Sequence, residues 1–109
     1  MATKTARRYD FGPDTPDYES EVIASVPERM LDAIERYVQT GCPIGDFLTA
    51  VIDNDLRGAV GRADDENLTA LHDIVKVFHN YCPADCWGAA GKRTRWQNHQ
   101  GLSGLQADD

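Results

Sequence analysis

The sequence predicts an all-α fold, on three observations. Apolar residues recur at helical spacing in separate segments. Those segments are bracketed by helix start and stop residues. No stretch of any length shows the apolar–polar alternation of a half-buried strand. The architecture expected is a compact bundle of three to four short helices over residues 25–100, with a flexible N-terminal arm over 1–24 and a flexible tail over 101–109. A chain of 109 residues is one domain with a modest core.

The arm is assigned first. It is polar, and the stretch DFGPDTPD reads as a turn-rich linker. Its aromatic residues Tyr9, Phe11 and Tyr18 offer the alternative of an arm that docks on a partner. The first helix is predicted from Ser25, with Ser25 as N-cap and Glu28 completing a capping box, to about Thr40. Met30, Leu31, Ile34, Tyr37 and Val38 form its inner face, and Gly41 and Pro43 stop it.

The second helix begins at Gly45 or Asp46 and carries Phe47, Leu48, Val51, Ile52, Leu56 and Ala59 on one side. The third begins at Asp64 or Asp65, where three consecutive acids complement the helix dipole. Leu68, Leu71, Val75, Phe78 and Cys82 are its expected inner face, and Asn80, Tyr81 and Pro83 end it. A fourth, weaker helix covers about Ala89 to Gln100 and contains KRTRW, after which GLSGLQADD frays.

Charge narrows the function classes. The net charge is −7, concentrated as −6 over residues 27–91, while residues 92–109 carry +1. An acidic body argues against direct nucleic-acid binding, because phosphate contacts need Lys and Arg. It suits a partner with a basic surface. No apolar run approaches a membrane span, and MATKTARRYDFGPD lacks the apolar core of a signal peptide. Cys42, Cys82 and Cys86 do not make a disulfide framework, so a reducing cytoplasm is the expected setting.

Three strings stand out: GDFLTAVIDNDL, GRADDEN and FHNYCPADCWG. Together they resemble a group of small helical proteins encoded by bacteriophages and prophages, over about residues 26–96. The resemblance implies a cytoplasmic accessory protein of an infected or lysogenic bacterium. It supplies no activity.

The stretch between the second and third helices holds the candidate site. Asp55 follows Val51 by four residues and Ile52 by three, so an unbroken helix would set it in the apolar stripe. A carboxylate there is costly unless it is satisfied. Asp55 therefore caps a new short helix, Leu56–Gly61, after a kink at Asn54, or pairs with Arg57, Arg62 or the amides of the third helix, or faces a cleft. In the last case Asn54, Asp55, Arg62 and Asn67 would read a nucleotide-like ligand beside the start of the third helix. Asp64, Asp65 and Glu66 at that same start oppose a phosphate and favour a basic protein partner.

Trp87, between Cys86 and Gly88, is either a lid on the bundle or an interface anchor. Lys92, Arg93 and Arg95 beside Trp96 form a small basic stripe that meets the acidic body within the molecule or across a homo-oligomer. His79, Cys82 and Cys86 raise zinc, but the strongest zinc spacings are absent and no metal or other cofactor is assigned. No nucleophile elbow, Walker loop or dinucleotide fingerprint is present, and the expectation is a non-enzymatic protein. It would bind a host protein or macromolecule, or alternatively sequester a small nucleotide-like ligand, with Asn54, Asp55, Arg62, Asp64, Asn67 and Trp87 as the candidate binding residues.

Overall fold

The structure is a computed structural model and describes residues 9–16 and 20–107. Its elements are helices and turns alone, in the order α1 (Glu21–Ala24), α2 (Glu28–Thr40), α3 (Asp46–Ile52), α4 (Leu56–Arg62), α5 (Asp65–Tyr81), a 3-10 turn (Ala84–Cys86), α6 (Ala90–Asn98) and α7 (Gly101–Ala107). The class is all-α. The helix count is seven among the described residues rather than three to four. The difference has three sources, each physical.

The first is the N-terminal segment. Phe11 is fully buried and stacks on Tyr9 with ring centroids 5.7 Å apart. The Asp10 amide donates to the Glu35 carboxylate at 2.8 Å, and the Gln39 side chain donates to the Asp10 carbonyl at 2.7 Å. Burial of one phenylalanine stabilises by about 2–3 kcal/mol, which acts with these hydrogen bonds against the cost of ordering the segment. The described part of the expected arm thus lies on α2, while Tyr18 falls outside the described residues. Ser20 caps α1, accepting from the Ile23 amide at 3.1 Å. Ser25 therefore does not cap α2. It closes α1, and its hydroxyl donates to the Glu21 carbonyl at 2.8 Å.

The second is a break in the predicted second helix. Asn54 takes φ +62°, which reverses the chain after α3. Asp55 then starts α4, its carboxylate accepting from the Gly58 amide at 2.9 Å. The break also turns Leu56 out to 68% exposure, while Ala59 stays buried against α3.

The third is the C-terminal segment, which forms α7 instead of fraying. Gly101 makes this possible. Its φ is +66°, and a Cβ there would lie 2.6 Å from the Val38 carbonyl oxygen, so only glycine lets α7 reach the end of α2. Ser103 then donates to the Gln39 carbonyl at 2.7 Å.

The α2 stripe and its end hold: Met30, Leu31, Ile34, Tyr37 and Val38 are buried, and Gly41 ends the helix at φ +76° with its amide on the Tyr37 carbonyl. On α5 the expected Phe78 and Cys82 are buried, but before them the inner face is shifted by one residue. The core takes Asn67, Ala70, Ile74, Val77 and Phe78, leaving Leu68 47% and Val75 36% exposed. Both stripes recur at three and four residues, so periodicity alone does not choose between them.

Trp96 is the largest fully buried side chain. Its indole N–H donates to the Tyr37 and Val38 carbonyls at 3.1 and 3.2 Å, anchoring α6 under the end of α2. No helix among the described residues is long and apolar enough to cross a membrane.

Candidate functional site

The α1–α2 junction lies beside the first turns of α5. Between them runs a groove of about 770 Å³, lined by Ala24, Ser25, Val26 and Pro27 on one wall and by Asp65, Glu66, Thr69, Ala70 and Asp73 on the other. Local sequence builds both walls. Pro27 has no amide to donate and opens α2, so the junction stays short. Asp64 caps α5, accepting from the Asn67 amide at 2.7 Å. The helix that follows then presents Asp65 and Asp73 beside small and apolar residues.

Arg29 of α2 sets the charge at one end of the groove. Its guanidinium donates to Glu66 at 2.5 Å and to the Asn67 side-chain oxygen at 3.3 Å, and it stands 3.7 Å from Asp64. This satisfies Asn67, the one buried polar side chain of the described core. Asp65 and Asp73 are not reached by Arg29. Asp73 has the His72 imidazole 3.9 Å away, and Asp65 forms no ion pair among the described residues. The groove therefore keeps a negative rim.

The six candidate residues divide among three places. Asp64 and Asn67 come together through Arg29, at the end of the groove. Asn54, Asp55 and Arg62 surround α4 instead. There the Asp55 and Arg62 side chains converge above Gly58, where an added Cβ would meet both. Trp87 belongs to neither group. It is half-buried and stacks on Phe78, with centroids 5.7 Å apart. Arg29, Asp73 and the α1–α2 junction were not among the sequence candidates. The groove depends on a long-range pairing of α1 with α5, for which local spacing gives no signal.

The basic stripe meets the acidic body inside the molecule. Arg93 donates to both Asp53 carboxylate oxygens, at 2.6 and 3.1 Å. The hydrogen bond to Asp53 raises the Arg93 pKa further, so the guanidinium keeps its charge. Lys92 donates to the Ala84 carbonyl at 3.2 Å.

The cysteines sit in a different setting. Cys82 and Cys86 are buried, and His79 is exposed. Burial pushes the Cys82 thiol up, reinforced by its hydrogen bond with Cys86, which keeps it protonated at neutral pH. Burial likewise raises the Tyr37 phenol, whose hydroxyl donates to the Cys86 carbonyl at 2.7 Å. Among the described residues no three His, Cys, Asp or Glu side chains gather as a metal ion would need.

Comparison with known proteins finds no matching family model, curated protein or solved structure.

Proposed function

We propose that this protein acts by binding another protein, whose basic surface enters the acidic groove between the α1–α2 junction and α5. The observation that carries the reading is the lining of that groove, with Asp65 and Asp73 on the rim and Val26, Pro27 and Ala70 on the floor. Acidic rims of this kind steer a basic partner and fix its register, while apolar floors contribute the burial. The net charge of −7 acts in the same direction at longer range. The reading takes a bacterial host protein, met in the cytoplasm, as the partner, as the phage-type resemblance expected from residues 26–96 would imply.

The test is retention of the partner from a bacterial lysate on immobilised protein. Asp65→Lys with Asp73→Lys should abolish retention. Asp85→Lys, the same charge change outside the groove, should leave it intact. Equal retention by both variants would contradict the reading.

Sequestration of a small nucleotide-like ligand is the second reading. It is favoured by the convergence of Asp55 and Arg62 above Gly58, and by Arg57 and Arg62 forming no ion pair among the described residues. Against it, Arg29 already holds Asp64 and Asn67, away from α4. Arg62→Ala separates the two: it would abolish ligand binding and leave partner binding unchanged.

A further inference from the structure

The second apolar stripe of α5 has no counterpart in the core. Leu68, Leu71 and Val75 follow one another at three and four residues, the spacing of a helix–helix seam. Leu68 and Val75 are exposed and Leu71 is only half-buried. The core uses the adjacent stripe instead. The molecule is a slab 18 Å thick in its shortest dimension, about two helix diameters. A slab this thin leaves a flank of α5 open.

We infer that this stripe is the contact face of a homodimer in which α5 packs antiparallel on α5 of a second copy. Charge selects both the occupant and the direction. Beyond the first turn the seam and its margin consist of Leu68, Leu71, His72, Val75 and His79, which include no carboxylate, while Asp64 and Asp65 extend the stripe at its start. The net −7 of each chain therefore does not set acid on acid within the contact. The two ends of α5 differ in sign: Asp64, Asp65 and Glu66 open it, while Lys76 lies toward its close. Antiparallel pairing sets each acidic start beside the partner copy's basic end, and two-fold symmetry makes this contact twice. Parallel pairing would bring the two acidic starts together. Thr69 and Asp73 face the groove, while Asp65 at its edge is shared with the dimer contact. Dimer formation and partner binding therefore compete for Asp65.

One helix face covers less than the ~800 Å² per partner of a standard interface, so the dimer is weak, with a dissociation constant of order 100 μM. Sedimentation equilibrium of the full chain at about 0.5 mM tests it. The expected weight-average mass is about 1.7 times 12.1 kDa, and it should fall toward 12.1 kDa on dilution. Leu68→Glu with Val75→Glu should return the mass to 12.1 kDa at unchanged helical circular dichroism. Leu56→Glu, on the exposed side of α4, should leave the dimer intact. A wild-type mass of 12.1 kDa overturns the inference, as does a dimer that survives the double substitution. A readout on the unmodified chain guards against a variant that fails to fold. On dilution, amide shifts should change along residues 68–79 and stay fixed at 24–27; the reverse pattern overturns the inference.

Discussion

Arg93 of α6 holds Asp53, the residue that ends α3, by a pair of hydrogen bonds from one guanidinium to one carboxylate. Both side chains are mostly buried, at 25% and 19% exposure. Beside it, the Gly88 amide donates to the Ile52 carbonyl at 2.6 Å, so two contacts fix the chain before α6 to the end of α3. A bidentate pair shielded from water is worth more than a surface ion pair. A double-mutant cycle with Asp53→Asn and Arg93→Met should give a coupling of about 1–3 kcal/mol by chemical denaturation. Additive effects would show that the pair contributes only through packing.

Trp96 is the second tie on α6, a helix with no side-chain cap on its first turn. Trp96→Ala should cost about 3–5 kcal/mol through loss of a large buried side chain. Trp96→Phe keeps most of the volume and loses the two indole hydrogen bonds to α2, for about 1–2 kcal/mol. Thermal unfolding of the two variants should separate these contributions.

The α4–α5 corner rests on two aspartate caps. Asp55→Ala removes the acceptor of the Gly58 amide, and Asp64→Ala that of the Asn67 amide. Each should cost about 1 kcal/mol. Asp64→Ala should also release Arg29 from one of its contacts. Hydrogen exchange should then rise in the first turn of the affected helix. Unchanged protection at both helix starts would remove the capping role.

Much of this was legible in the sequence. The α2 stripe and its terminal glycine follow from spacing and from the need for positive φ at Gly41, and both are local properties. The kink at Asn54 with Asp55 as a cap was among the readings open for that stretch, because an aspartate in an apolar stripe needs an answer. On α5 only Phe78 and Cys82 are legible, because earlier in the helix Leu68, Leu71 and Val75 compete with Ala70, Ile74 and Val77 at the same period. Only packing against α1 and the neighbouring helices settles the choice. In the sequence Trp96 stands within a basic stripe, and its burial depends on carbonyls 58 and 59 residues away. Glycines disguised α7, whose helix is held by contacts with α2. The groove likewise needs residues from two distant segments, and Arg29 gave no local sign of its role.

Alkaline pH should weaken the fold. Burial raises the Tyr37 phenol from its ordinary 10.0 and the Cys82 thiol from its ordinary 9.0. Both groups hold their protons more tightly folded than unfolded. Their contribution is fully present below the unfolded values and is lost as pH rises, beginning above 9.0 for Cys82 and above 10.0 for Tyr37. Denaturant midpoints should therefore fall between about pH 8 and about pH 11, and the slope should be shallower in Tyr37→Phe. A flat profile over that range would contradict the burial of both groups.

The central claim is that a basic protein surface enters the groove beside α5. A nuclear magnetic resonance titration of the isotope-labelled chain with a leucine-containing, Lys- and Arg-rich peptide tests it most directly. At about 0.15 M salt, where long-range attraction is screened, the account predicts saturable shift changes confined to residues 24–27 and 65–73. Changes spread evenly over Asp10, Asp14, Asp46 and Asp85, or no change at all, would contradict it.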